Sequence, residues 1–412
     1  MNRQHRLAIL ISAFTCASVA PALADEDMAA TSLSEMITKG KASLNFRYRY
    51  EGVSDDRFDE DAGASLLRSR LTLASATYKG FSSLLEVDNV TSIGDSDYNS
   101  TENGNGEFPV VADPEGTDLN QVWVAYAFEQ GKTTLGRQRI NHGNQRFVGG
   151  VAWRQNEQTY DSLRLDLTPV TGLRIDMSYV TKIRRIFGPD DGAQPAEWEG
   201  DTALVRADYK LSENHSLAGF AYHLDVEDVN GYPAGRTVNN ANDTYGIEYA
   251  GKIKNLGLKA SFATQSDAGD SELSYDTEYY FLEGALKLAP VTVTAGYEVL
   301  AADNGKGFQT PLATLHKFQG WADMFLATPA DGIEDAYVKV GGKLGPVKLA
   351  AIYHDFQAES SSDDFGTEFD FIATWPVNKM VTLQGKYANF FTDNEDRYVD
   401  SERFWLTAQI KL

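Results

Sequence analysis

The sequence predicts an all-β fold, a transmembrane antiparallel up-and-down β-barrel of about 18 strands, with 16 as the alternative count. Three observations predict it: an export signal with no later apolar run, a period-two alternation that recurs along most of the chain, and spacers that alternate between tight turns and long polar loops.

The export signal comes first. Arg3 and Arg6 precede the apolar run from Leu7 to Ala20, and Ala22-Leu23-Ala24 ahead of Asp25 forms a small-residue cleavage site, so residues 1–24 read as a secretory signal peptide. Residues 25–41, with the helical-looking TSLSEMITKG, read as a short periplasmic leader, and residues 42–412 as the barrel domain. The single cysteine, Cys16, lies in the signal, so disulfides do not hold the exported chain together. Taking Arg3 and Arg6 from the 37 basic residues leaves 35 against 59 acidic ones and a net charge of −24, which argues against nucleic acid as a partner. After the signal no stretch approaches 18 uncharged apolar residues, which excludes a spanning helix and leaves a soluble protein or a barrel.

Alternation decides between them. Leu44, Phe46, Tyr48 and Tyr50 open the series; then come Leu67, Leu71, Leu73; Leu85, Val87; and Val122, Val124, Tyr126, Phe128. A fifth segment carries Arg137 and Arg139. It is followed by Leu163, Leu165, Leu167; Leu173, Ile175, Met177, Tyr179; Val205, Ala207, Tyr209; and Phe220, Tyr222, Leu224. Tyr245, Ile247, Tyr249; Leu258, Ala260, Phe262; Tyr280, Leu282, Leu286; and Val291, Val293, Tyr297 come next, with five last segments centred near Val338, Leu349, Phe371, Leu383 and Leu406. In the terminal segment Phe404, Leu406, Ala408, Ile410 and Leu412 share one face and Trp405, Thr407, Gln409 and Lys411 the other, as a closing strand requires. Tight spacers such as YKG, EQGK, TPVTG and SEN follow even segments. Long polar ones (54–63, 91–118, 141–157, 184–200, 227–242, 266–275, 301–332, 357–365 and 391–401) follow odd segments, the asymmetry of periplasmic turns and external loops. The expected surroundings are outer-membrane lipid and lipopolysaccharide, with periplasmic export proteins as further partners.

An arginine facing hydrocarbon at the midplane costs roughly 2–4 kcal/mol, so strand arginines are expected to face a wet lumen and the aromatics to face lipid. That assigns to the lumen Arg47, Arg49, Arg68, Arg70, Glu86, Asp88, Arg137, Arg139, Arg164 and Arg174, together with Asp166, Asp176, Arg206, Asp208 and Glu248. One hairpin tests the parity. A three-residue turn Tyr78-Lys79-Gly80 pairs Arg70 with Asp88 and Leu73 with Leu85, whereas a two-residue turn Lys79-Gly80 would put Arg70 on the face of Leu85. Inward arginines can pair with inward acids as a polar ladder. Residues 131–186, however, hold ten Lys or Arg against four Asp or Glu, and Arg137, Arg139, Arg146, Arg154, Arg164 and Arg174 are expected to form a cationic track for an anionic solute.

The run LGRQRINHGNQRFVGGVAWRQNEQTYDSLRL (135–165), with G-R-Q, G-x-Q-R-x-x-G, W-x-x-N and Y-D-x-x-R-L, resembles the alginate export family of outer-membrane β-barrel porins. So does FQTPLATLHKFQGWADMFLATPADGIEDAYV (308–338), with T-P-L, H-x-F-x-G-W-A-D and T-P-x-x-G-I-x-D. The resemblance implies an 18-stranded barrel that passes an anionic solute or an acidic polysaccharide such as alginate by diffusion, with inward arginines as the selectivity residues. A general non-specific porin is the alternative. In the second run Thr310, Pro311, His316, Trp321 and Asp323, with Gly320 and Ala322, sit in a long outer loop that either folds inward as a constriction or seals the mouth, with a short helix expected near 314–326.

His142, His215, His223, His316 and His354 show no metal-ligand spacing, and no cofactor is indicated. In DSDYNSTENGNGE, Asp95, Asp97 and Asn99 could hold a loose surface calcium, but the run lacks the glycine and final-acid spacing of an EF-hand, and a solvated loop is the default. His142, Asn144 and Ser162 stand near one loop, the only trace of a rim hydrolase, and Ser162 lies in no nucleophile motif. An energised receptor would need a plug far longer than residues 25–41.

Overall fold

In a computed structural model, residues 29–412 are described, with the side chain of Asp95 excepted. The expected signal peptide, with Cys16, and the first residues of the expected leader lie outside the described residues. Eighteen strands form one closed antiparallel sheet. They are β1 Lys41–Asp55, β2 Ala62–Ala74, β3 Phe81–Asp97, β4 Gly116–Phe128, β5 Gly131–Gln138, β6 Thr159–Val170, β7 Leu173–Arg184, β8 Glu197–Ser212 and β9 His215–Leu224. The second half comprises β10 Asn242–Ile253, β11 Leu256–Asp267, β12 Asp276–Leu288, β13 Val291–Leu300, β14 Ile333–Leu344, β15 Val347–Gln357, β16 Asp364–Pro376, β17 Val381–Thr392 and β18 Ser401–Lys411. Each strand pairs with its sequence neighbours, and β18 closes on β1 with Tyr48 opposite Ala408 and Glu51 opposite Trp405. Closure leaves the sheet no free edge, the condition for a sheet to cross a bilayer.

The eight tight turns fall at the end that carries both termini, and nine loops (L1 to L9) at the other. L2 spans 98–115, L3 139–158 and L7 301–332. At the turn end the helix α1, Leu33–Thr38, is capped by Ser32 Oγ, which accepts from Glu35 N at 3.2 Å. It docks on the β2–β3 turn, where Ala76 N donates to Met36 O at 2.8 Å. That turn corrects one expectation. Arg70 does face Asp88 and Leu73 faces Leu85, but the turn has two residues, Lys79 and Gly80, both with positive φ (49° and 84°). Tyr78 and Phe81 close it, and the residue that keeps the faces in phase is an extra one in the strand at Ala76–Thr77.

The lipid face is as expected on most strands: Leu85, Val124, Tyr179, Ile247, Val338, Phe371 and Leu406 are exposed, while Arg47, Arg49, Arg68 and Trp405 are buried inside. Leu282, 61 % exposed, points outward from β12, and Glu283 beside it points in, where Lys259 meets it at 2.7 Å. Leu282→Arg should lower barrel stability by about 2–4 kcal/mol in lipid-vesicle unfolding titrations. Glu283→Gln should cost far less, and equal costs would show the faces misassigned.

Two strands depart from the expected parity. On β9 the apolar side, Phe220, Tyr222 and Leu224, faces inward, because Phe220 lies opposite Arg206 and packs on Phe147 of L3. The lumen there holds an apolar loop core rather than water, so the apolar residues of β9 belong inside. Arg137 faces outward. It shares the face of exposed Leu135, two residues before it, lies opposite exposed Val122, and donates from Nε to Asp161 Oδ1 at 2.7 Å. Asp161 lies near the outer end of β6 opposite Lys182 of β7, where an outward charge meets headgroups rather than hydrocarbon.

Candidate functional site: the lumen constriction

L3 and L7 both turn into the barrel and meet. Gly149 N donates to Leu312 O at 2.8 Å, and Thr314 N to Gln145 O at 3.0 Å. Thr314 Oγ1 donates to Gln145 Oε1 at 2.7 Å. Their shared apolar core, with Phe147, Phe308, Leu312 and Tyr279, packs on the inner wall of β8 to β12. The helix expected near 314–326 is a single 3-10 turn, Leu315–Lys317. Gln319, Gly320 and Asp323 all take positive φ, which ends any helical run. Val151 in L3 takes φ 50°, a left-handed conformation that a β-branched side chain adopts at a cost of about 1–3 kcal/mol and that the surrounding contacts sustain.

On one side L3 is fastened to β1–β3. Arg47 Nε donates to Gln155 Oε1 at 2.8 Å and Nη1 to Ala152 O at 2.9 Å, while Gln155 N donates to Asp113 Oδ1 of L2 at 2.6 Å. Glu157 is the hub. It meets Arg70 Nη1 at 2.8 Å and Arg68 Nη1 at 3.5 Å, and it accepts from Arg139 Nε. Burial alone would raise the Glu157 carboxyl, but Arg139, Arg70 and Arg68 together hold it well below the usual carboxylate range. Arg154 meets Glu51 at 3.0 Å, Asp323 at 3.4 Å and Asp113 at 3.5 Å. Arg146 meets Glu298 of β13 at 2.8 Å and donates to Thr310 Oγ1 at 3.1 Å.

L7 is fastened to β13–β17. Glu368 Oε1 accepts from Ala322 N at 2.8 Å and from Trp321 N, and Gln319 donates to Glu298 Oε2. His316 Nδ1 lies 2.7 Å from Asp323 Oδ1, and its Nε2 meets Lys386 Nζ. Burial pushes His316 down to about 3 against the pull of Asp323, so the ring is neutral: Nδ1–H donates to the carboxylate and Nε2 accepts from the ammonium. Pro311 lines a small apolar recess with Phe147 and Leu312.

The expected cationic track is therefore divided. Arg139, Arg164 and Arg174 line the wall of the lumen, Arg146 and Arg154 are buried in the loop packing, and Arg137 is outside. All are paired: Arg137, Arg164 and Arg174 with Asp161, Asp176 and Asp166 of the same stretch, and Arg139, Arg146 and Arg154 with the remote Glu86, Glu298 and Glu51, which is how the local positive excess is matched. In the pairs of Arg139, Arg164 and Arg174 the guanidinium is the more exposed member, whereas Arg206 is less exposed than its partners Asp208 and Glu248. Arg139 is 24 % exposed against 5 % for Glu86, Arg164 17 % against 1 % for Asp176, and Arg174 38 % against 15 % for Asp166. Arg70 has the same bias over Asp88, 2.5 Å away.

Sequence reasoning did not single out Glu157, Glu298, Glu368, Lys386 or Trp153. Strand parity would have put Glu298, Glu368 and Lys386 inside, but which loop backbone each one holds has no sequence signal. Ser162 Oγ donates to Tyr160 O at 3.3 Å, while His142 partners Tyr222 and Asp176. Asn99 Oδ1 accepts from Thr101 N at 2.8 Å, and among the described residues no group of three or more His, Cys, Asp or Glu is gathered as metal ligands.

Residues 41–311 match the family model described as Alginate export. No curated protein matches the sequence. Among solved structures, Pseudomonas aeruginosa OpdK with vanillate superposes at a TM-score of 0.71 and 12 % identity, covering 92 % of this chain and 99 % of that one. P. aeruginosa OccK9 (OpdG) gives 0.68 and 15 %, over 92 % and 100 %. Acinetobacter baumannii OccAB4 gives 0.66 and 14 %, over 90 % and 98 %. At these identities the likeness is one of fold.

Proposed function

The chain belongs to the alginate export family of bacterial outer-membrane β-barrel proteins, and we propose that it is a diffusion channel for small organic anions, with short acidic oligosaccharides at the upper end of its range. The observation that carries this reading is the exposure bias of the wall pairs. Arg139, Arg164 and Arg174 turn guanidinium edges to the lumen while Glu86, Asp176 and Asp166 lie behind them, so a paired wall still presents donors that suit a carboxylate. The inward fold of L3 and L7 favours a small solute over a polymer chain, because the two loops occupy the lumen at one level. That a structural neighbour was solved with vanillate, an aromatic carboxylate, fits the same size class. Entry through a signal peptide of residues 1–24 and a leader to residue 41 belongs to this proposal.

The test is the reversal potential of the purified protein in a planar bilayer under a salt gradient. Wild type should prefer anions, and R164Q/R174Q should reduce or invert that preference. Because those changes leave Asp166 without its arginine and Asp176 with His142 alone, R174Q/D166N is the sharper variant: with net charge unchanged it should still weaken anion preference. A reversal potential indifferent to both variants would sink the reading and leave a non-specific porin.

A further inference from the structure

Trp153, at the inner tip of L3, is held as a ligand would be. His316 of L7 lies flat on its ring, with centroids 3.4 Å apart and planes within 9°. The guanidinium groups of Arg154 and Arg49 stand 4.2 and 5.0 Å from the ring centroid, and Trp405 of β18 closes the edge at 6.1 Å and 79°. An imidazole face, two guanidinium groups and an indole edge are the partners that a planar π-system selects over a saturated ring of the same size.

Beside this cage three buried donors have no hydrogen-bond acceptor: Arg49 Nη1, Arg403 Nε and Trp405 Nε1. All three project inward from the β1–β18 seam, where Arg49 lies opposite Thr407 and Glu51 opposite Trp405. The nearby acids do not reach these donors. Glu51 is 3.0 Å from Arg154 but 3.7 Å from Arg403, and Asp113 Oδ2, itself without a hydrogen bond, is 3.9 Å from Arg49 Nη1, beyond hydrogen-bond reach. A buried, unmatched set of N–H donors next to a ring site lacks what a carboxylate supplies.

We propose that this cage is a binding subsite for an aromatic carboxylate and that Trp153 fills it in the resting channel. The solute's ring takes the place of the indole on His316, its carboxylate takes the donors of Arg49, Arg403 and Trp405, and the Trp153 side chain swings aside while Arg47 keeps hold of the carbonyls of Ala152 and Arg154. Trp153 is suited to leaving: its ring is only partly buried, and it follows Val151, whose backbone is in the left-handed region. This rests on the anion-channel reading and names the solute class within it.

The probes are benzoate and cyclohexanecarboxylate, equal in charge and close in size, added to single channels of wild type, W153A, R49Q and W153A/R49Q. W153A should conduct more than wild type, and benzoate should block it at a concentration at least tenfold below that of cyclohexanecarboxylate. Wild type, where the indole competes, should show a smaller preference, and R49Q should abolish the preference with or without Trp153. Equal block by the two probes in W153A and wild type would overturn the subsite. Should W153A fail to assemble, an undiminished benzoate preference in R49Q would overturn it alone. A wild-type channel that keeps its anion selectivity but shows no ring preference defeats only this inference, whereas one without anion selectivity defeats the channel reading beneath it.

Discussion

Glu157→Gln should destabilise the barrel by about 3–5 kcal/mol, the cost of breaking a buried ion pair by removing one partner. Glu157 stands between three arginines, and the loss falls unequally on them. Arg70 keeps Asp88 at 2.5 Å and Arg139 keeps Glu86, but Arg68 is left with Asn45 Oδ1 at 2.9 Å as its hydrogen-bond acceptor. The sign with pH follows from the direction of the shift. The folded-state pKa is depressed, so the stabilisation is complete above the unfolded value of about 4.3 and drains away as pH falls toward and through the folded one. The stability gap between wild type and E157Q, read from urea unfolding in micelles, should therefore be constant from pH 7 to pH 5 and narrow steadily below about pH 4.3. A gap that held constant down to pH 2 would show that shape rather than charge is lost. The same variant should make L3 noisier in single-channel records, since Glu157 is the last charged anchor of L3 before β6.

Gly320→Ala should release L7. Gly320 takes φ 77°, and a Cβ there would lie 2.2 Å from Glu368 Oε2, in the carboxylate that holds the N–H groups of Trp321 and Ala322. Left-handed strain in a non-glycine residue costs about 1–3 kcal/mol, and the clash adds to it, so L7 should leave the wall before the barrel loses stability. The expected readout is a several-fold rise in single-channel conductance with the heat-modifiable mobility of the folded barrel preserved. Unchanged conductance would mean that L7 does not set the constriction.

Both variants act on contacts that join segments far apart in the chain, and this marks the limit of what the sequence conveys. Strand number, the loop and turn ends, the outward faces of most strands and the Arg70–Asp88 register were legible because alternation and turn length are local properties: a one-residue slip would put Arg70 into lipid. Thr310, His316, Trp321 and Asp323 were legible as loop residues with a constriction as one reading, and the structure places them in the inward L7. The errors in facing have two causes. Phe220, Tyr222 and Leu224 read as lipid-facing because an apolar side chain looks the same whether it meets hydrocarbon or a loop core. Arg137 read as lumenal because parity does not report where along the bilayer normal a strand ends.

By itself, then, the sequence determined a wall: period-two alternation under the cost of charge in hydrocarbon admits one closed antiparallel sheet with a polar interior. Only the tertiary structure decided what fills that wall. Glu51, Glu86 and Glu298 come from distant segments to meet Arg154, Arg139 and Arg146, so the positive excess of residues 131–186 is balanced across the lumen, and Glu368 holds the backbone of L7. Ion pairing acts through space and carries no sequence period, so which arginine turns a free edge to a solute is settled by packing alone.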